Sequence, residues 1–395
     1  DTWGRPYGMS WEYFEEQMPK EFWQEFMDEV NAQYPGMLVL AESYDYGDKE
    51  GSPWDGRGGA FTRLGIVPYD KHVLDLQKLG YTDSVRGYVF MNAPQDFMRN
   101  SARFTENHDE PAARETFGWL EKATANTIVS AGFPGYFLLP LRQLLDMAPK
   151  AGDIKEMKSA DAGIYEFSYP HIKQIIKQRA VADLVEFLRF LKNRRFSNGE
   201  FYSVCIEGLE RKVPEGCLKL SPGHTRKEIL AATDWREDRH RRVWEKISQN
   251  NSGIVTYLWR GKDRDLLFVG NISREEFIAN FGAESVFEYY KDAARVLGVN
   301  LNAVTGRCNY KYSAAKKILK IELPAWGWGV FEFRSSSPVK NSNTKRIDGV
   351  GMPLFYARSK DVYGIGDMDS LHVAIRLAIR LRQRVIQVLP LIISS

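Results

Sequence analysis

Cysteine is scarce: Cys205, Cys217 and Cys308 are the only three in 395 residues. An odd number without paired metal-ligand spacing excludes a disulfide framework and a cysteine-bound metal. The thiols read as reduced, which places the chain in the cytoplasm. No apolar run is long enough to span a bilayer. Neither sign of charge predominates, since 54 Lys and Arg against 51 Asp and Glu leave a net +3. That balance gives no electrostatic handle for nucleic acid or for an anionic membrane. There is no initiator Met and no signal peptide at the start of the sequence. Nothing in the chain calls for a cofactor.

Aromatic residues, by contrast, are plentiful, at 13% with ten tryptophans. Sugar sites use such rings as stacking platforms, and large cores hold them too. The length suffices for a large core in two or three domains. Two stretches organise the rest: Leu38-Val39-Leu40-Ala41-Glu42-Ser43-Tyr44 and Phe104-Thr105-Glu106-Asn107-His108-Asp109-Glu110-Pro111. Each begins as a short apolar run and ends abruptly in carboxylates. A buried strand that delivers an acid at its C-terminal end is how a (β/α) barrel builds an active site. Two such strands would aim Glu42 and Asp109 into one mouth, and paired carboxylates are the equipment of glycoside hydrolysis.

These residues resemble the α-amylase superfamily, glycoside hydrolase family 13. There one strand ends in a general acid/base Glu, as in Leu40-Ala41-Glu42, and a later one in Asn-His-Asp, as in Asn107-His108-Asp109. Tyr69-Asp70-Lys71, before the helically spaced Val73, Leu74, Leu76 and Leu79, is similar to family sequence between the two sites. So is Gly132-Phe133-Pro134-Gly135-Tyr136, where the last barrel strand is expected. The resemblance implies Glu42 as acid/base and Asp109 as the third carboxylate. It implies that His108 and Asn107 bind substrate. Asp1 is either the nucleophile at the end of an Arg-x-Asp motif or merely the first residue of a fragment. It further implies a fragment, the C-terminal half of a (β/α)8 TIM barrel, because three strands with their helices do not fit before Glu42.

In chain order, a helix is predicted over 10–31, with Ser10 as N-cap, Pro19 opening a second segment, and Phe22, Phe26 and Val30 in one stripe. Tyr34-Pro35-Gly36 stops it, and Met37 to Ala41 reads as a buried strand. Asp45 to Gly59 reads as a long loop, with Trp54 either a sugar platform or rim packing. Ala123 to Leu139 is read as the final strand and its turn, followed by Arg142-Gln143. Ile172 to Leu191 is predicted as an amphipathic helix. Residues 196–250 are poorly patterned, and Arg236 to Lys246 is read as a solvated face. From Gly253 the period turns strand-like: Ile254 to Trp259 and Leu266 to Ser273 flank a hairpin at Gly261-Lys262-Asp263, and Ile318 to Leu323 and Gly329 to Phe333 follow. This resembles the antiparallel β-sandwich that follows the family's barrel.

Ser335 to Thr344 is a linker by composition. Gly351-Met352-Pro353-Leu354-Phe355, Tyr363-Gly364-Ile365-Gly366-Asp367 and Gln383 to Leu391 then resemble the start of a 4-α-glucanotransferase, glycoside hydrolase family 77. Tyr363 matches a family tyrosine near the donor sugar, and Val385 to Leu389 would be the first strand of a second barrel. The expected fold class is thus α/β: a partial (β/α)8 barrel over 1–196, a connecting segment and antiparallel β-sandwich over 197–334, a linker over 335–348, and the beginning of a second barrel over 349–395. The expected function is α-1,4-glucan or maltooligosaccharide processing by a retaining hydrolase or transferase mechanism. The alternative is a catalytically inactive glucan-binding or structural module with the same fold.

Overall fold

The structure, a computed structural model, describes residues 22–43, 57–80, 95–107, 109–140, 155–159, 162–166, 182–188, 200–204, 208–220, 253–260, 264–282, 302–306, 308–313, 318–334, 348–353, 357–358 and 385–389, with a few isolated positions besides. It divides into two units, Asp1–Tyr69 and Asp70–Ser395. Among the described residues no helix is long and apolar enough to cross a membrane.

In the first unit, helix α1 (Phe22–Gln33) buries Met27 and Val30. Met27 packs with Phe61 and Ile66, and Phe26, Val39, Ala41 and Leu64 close around them. Tyr34-Pro35-Gly36 ends this helix as its turn chemistry predicts; Ser10 and Pro19 lie outside the described residues. Strand β1 is shorter than expected, only Leu40–Ala41. Met37 is exposed, so only the end of the apolar run is drawn inward. Helix α2 (Arg57–Leu64) returns the chain to β2 (Val67–Pro68), which pairs with β1 in parallel.

The second unit opens with α3 (His72–Lys78), which buries Val73 and Leu74 and leaves Leu79 exposed just past its end. Helix α4 (Gln95–Asn100) precedes β3 (Ala102–Arg103). Helices α5 (Ala113–Phe117) and α6 (Leu120–Ala131) precede β4 (Tyr136–Pro140), which pairs with β3 in parallel. The expectation of a strand from Ala123 is corrected here. Ala123–Ala131 is helix, and the strand begins only at Tyr136. All nine residues from Ala123 to Ala131 are buried, and a helix enclosed on every side lacks the amphipathic period that tells it from a buried strand.

An antiparallel hairpin of β5 (Lys155–Ser159) and β6 (Ala162–Glu166) follows. Residues 182–188 are helical, with Leu184, Val185, Phe187 and Leu188 buried. The segment without clear pattern proves to contain three strands: β7 (Glu200–Ser203), β8 (Gly208–Val213) and β9 (Gly216–Leu220). β8 and β9 form a hairpin at a sheet edge whose exposed side carries Lys212, Glu215 and Lys219, so little apolar alternation marks them. β10 (Ile254–Arg260), β11 (Arg264–Asn271), β12 (Phe277–Gly282), β13 (Asn302–Gly306), β14 (Asn309–Ser313), β15 (Ile318–Leu323) and β16 (Trp328–Arg334) complete two antiparallel five-stranded sheets. Their orders are β13-β16-β11-β10-β7 and β14-β15-β12-β8-β9.

Between these sheets lies one apolar core that includes Leu258, Leu267, Val269 and Phe331 from the first and Phe277, Phe281, Leu319 and Ile321 from the second. The first sheet is buried on its other face as well. There Tyr257 stacks on Phe268 with centroids 4.4 Å apart, Phe187 meets Phe268 and Trp328, and the Trp259 indole N–H donates to the Gly132 carbonyl at 2.7 Å. Burial on both faces explains why Ile254–Trp259 reads as nearly continuous apolar sequence.

Val385–Leu389, expected as the first strand of a second barrel, joins a sheet that also holds β3 and β4. β17 (Asp348–Pro353) pairs in parallel with β4, the short β18 (Ala357–Arg358) pairs with β6, and β19 (Val385–Leu389) pairs in parallel with β17. Among the described residues they therefore lengthen an existing sheet, in the order β19-β17-β4-β3. A strand such as Val385–Leu389, apolar except at Gln387, favours a place in a parallel sheet, where both of its faces can be covered.

Candidate active site

Glu42 follows Ala41, the last residue of β1, and its side chain is exposed. Asp109 follows β3 at a distance of a few residues. Phe104, Thr105, Glu106 and Asn107 are buried between them, and Asp109 itself emerges exposed. The two acids lie in separate units. Asp1, His108, Tyr363 and Trp54 lie outside the described residues.

The turn that presents Asp109 is built by its neighbours. The amides of Asp109 and Glu110 both donate to Asn107 Oδ1, at 3.1 and 2.9 Å. This local amide capture is what Asn side chains do best at turns. The Asn107 side-chain oxygen is thus engaged in folding the turn, and the residue is 6% exposed. Glu106 is fully buried, and its Oε2 accepts the Ala113 amide at 2.5 Å, at the start of α5.

Glu110 is clamped by two lysines. Lys71 forms an ion pair with Glu110 Oε1, and Lys78 donates to Oε2 at 2.6 Å. Lys71 and Lys78 are seven residues apart, two helical turns, and so share one face. Burial pushes the Glu110 carboxyl up, but the hydrogen bonds and charges of the two lysines outweigh it and hold the group below its ordinary 4.5. The bond to Glu110 likewise lifts the Lys71 ammonium above 10.5, against an opposing effect of burial.

Beneath this turn, Arg103 is 1% exposed and pairs through Nε with Asp70 Oδ2 at 3.0 Å. Tyr88 donates to the other Asp70 oxygen at 3.0 Å. The Arg103 guanidinium also donates to the carbonyls of Met98 and Pro134. Such a pair is strongly coupled to the fold, because removing one partner leaves a buried charge uncompensated. Gly135, at φ 89°, lets the chain pass this site: a Cβ there would meet the Met98 carbonyl oxygen at 2.4 Å. Gln143 is buried, and its Nε2 donates to Thr105 Oγ1 and Thr127 Oγ1 at 2.7 and 2.6 Å. Lys71 was visible beside Asp70 in the sequence, but Lys78 and Arg103 carry no local signal, since their partners are distant in the chain.

No family model matches the chain, and no curated protein matches it. Solved structures do. An α-amylase from H. orenii matches with a TM-score of 0.46 at 12% identity, over 78% of this chain and 56% of that one. A debranching enzyme from Nostoc punctiforme, in an acarbose-soaked crystal, matches with a TM-score of 0.47 at 11% identity, over 80% and 55%. A cyclic α-maltosyl-(1→6)-maltose hydrolase from Arthrobacter globiformis matches with a TM-score of 0.44 at 11% identity, over 80% and 53%. This chain therefore spans little more than half the length of each solved structure named.

Proposed function

We propose that the chain processes α-glucans by a retaining glycoside hydrolase mechanism, with Glu42 as general acid/base and Asp109 as the carboxylate that steadies the oxocarbenium-like state. One observation supports this reading above others. In each unit an exposed carboxylate follows the C-terminal end of a strand in a parallel pair, Glu42 after β1 and Asp109 after β3. That is the strand end at which barrel enzymes keep their chemistry. The α-glucan class comes from the resemblance of Leu40-Ala41-Glu42 and Asn107-His108-Asp109 to family 13.

In this mechanism Glu42 gives its proton to the leaving glycosidic oxygen while a nucleophilic carboxylate attacks the anomeric carbon. Asp1 is the candidate for that nucleophile. Glu42 then takes a proton from water, or from a glucan hydroxyl, as the acceptor displaces the enzyme carboxylate. The exposure of Glu42 means that bound glucan has to exclude water and raise its carboxyl into the range of a general acid. Asp109 is held in place by the Asn107 turn and the clamped Glu110, and it binds ring hydroxyls more tightly as charge develops on the sugar. His108 donates to the same hydroxyls. Transfer to a second glucan is the role to which Tyr363 and residues 349–395 would contribute.

The test is to incubate maltotriose with the full-length gene product and follow glucose and longer maltodextrins. Glucose and maltose without longer chains identify hydrolysis, and longer chains identify transfer. An inert product on maltotriose and on longer α-glucans would overturn the enzymatic reading and leave the binding module.

A further inference from the structure

Two neighbouring tryptophans, Trp119 and Trp326, are not among the residues assigned above. Pro324-Ala325-Trp326-Gly327 forms a β-turn between β15 and β16, closed by the Gly327 amide donating to the Pro324 carbonyl at 2.9 Å. Its third residue has φ 56°, the left-handed conformation that glycine or asparagine usually supplies. Here it is a tryptophan, the one non-glycine residue with positive φ among the described residues, and its indole is half-exposed. A bulky residue in this conformation is an outlier that the surroundings must hold in place.

The surroundings do hold it. Buried Asn271 donates through Nδ2 to the Pro324 and Glu275 carbonyls, at 2.8 and 2.7 Å. Its amide donates to the Gly327 carbonyl at 2.7 Å, and its Oδ1 accepts from Ser273. The Trp326 amide in turn donates to the Ser273 carbonyl at 3.2 Å. One buried side chain thus ties together the 272–275 loop and the turn that carries the indole. Trp119, the half-exposed residue before α6, faces Trp326 edge-on with centroids 6.1 Å apart. The exposed Arg274 guanidinium lies 3.8 Å from the Trp119 ring centroid, a cation–π contact. Burial lowers the pKa of Lys122, and the Arg274 charge adds to that shift.

We propose that Trp326, Trp119 and Arg274 form a second carbohydrate-binding site, which takes an α-glucan chain. The Trp326 indole supplies a flat apolar face for the C–H side of a pyranose ring. Arg274, held over Trp119, supplies donors to the hydroxyls at the ring's rim. A ring with one apolar face and a polar rim fits a preorganised indole beside a guanidinium. Two indoles and a cation are too small a patch for a protein interface, which needs about 1,000 Å². That the sugar is an α-glucan rests on the function proposed above.

The experiment is calorimetric titration of the full-length gene product with maltoheptaose. Trp326→Gly removes the indole but suits the left-handed backbone, so its melting temperature should hold or rise while affinity falls about tenfold. Arg274→Ala, an exposed change, should weaken binding in the same direction and covers the case in which Trp326→Gly fails to fold. Unchanged affinity in both variants, or no maltoheptaose binding by the wild type, overturns the site. Indole-dependent binding in a protein that turns over no α-glucan supports this site and overturns the enzymatic reading instead.

Discussion

Glu110 links the presentation of Asp109 to the pH dependence of stability. Its folded pKa lies below 4.5, so its ion pairs contribute stability that is fully present above that value and is lost as pH falls through the folded value. Lys71 has the opposite sign. Its raised pKa means a contribution present below 10.5 and lost as pH rises through the folded value. Glu110→Gln should therefore lower the melting temperature near neutrality and flatten its decline at both the acid and the alkaline extremes. Melting curves collected across pH check this, and an unchanged profile would show that the lysine clamp is dispensable. Of these residues the sequence exposed only some. Glu42 and Asp109 were legible because an abrupt carboxylate after an apolar run is a local pattern. Glu110, Lys78 and the Arg103–Asp70 pair were not, because each contact joins residues far apart in the chain. Asn107 was legible as important, but its part in folding the turn was not, since a turn-forming Asn and a ligand-binding Asn look alike in sequence.

The helix α6 and the sheet of β10 and β11 meet closely at Gly132, just past the end of the helix. A Cβ on Gly132 would stand 1.5 Å from the Tyr257 hydroxyl. That hydroxyl has little room to retreat, because Tyr257 stacks on Phe268 and touches Phe133 and Phe201, with centroids 4.4, 5.6 and 5.3 Å away. Gly132→Ala should destabilise the protein by about 1–3 kcal/mol through overpacking, read by urea unfolding; an unchanged midpoint would mean that this junction yields easily. The same junction shows why α6 was misread from the sequence. Thr124, Asn126, Thr127 and Ser130 are buried polar residues whose hydrogen bonds fall to Leu120, Lys122, Gln143 and Gln77, so neither a polar face nor an apolar stripe marks the helix. β10 and β11 were legible from their turn and their β-branched and aromatic content. The β8–β9 hairpin was not, because its exposed side is charged and its turn, Pro214-Glu215, follows a short run of mixed residues.

Across the molecule, the shift from helical to strand period at Gly253 marks where the sandwich strands become continuous, although the two sheets also recruit β7 to β9 from upstream. The C-terminal strands show the limit of such reading. Val385–Leu389 is legible as a strand, but its partner, β17 beside β4, is a choice that only tertiary structure makes. The two free thiols among the described residues, Cys217 and Cys308, are far from equivalent: burial pushes Cys308 up to about 11, whereas Cys217 is exposed. The central claim is that Glu42 protonates the leaving group of an α-glucan, and a pair of substrates isolates that step. The measurement compares wild type and Glu42→Gln, in the full-length gene product, on maltotriose and on α-maltosyl fluoride, whose fluoride departs without a proton. If Glu42 is the general acid/base, Glu42→Gln should lose about 10²–10⁴-fold on maltotriose and keep the first-turnover burst of fluoride near the wild-type rate, with later turnovers slowed because the same residue activates the acceptor. Equal losses on maltotriose and in the fluoride burst, or undiminished turnover of maltotriose, would contradict the assignment.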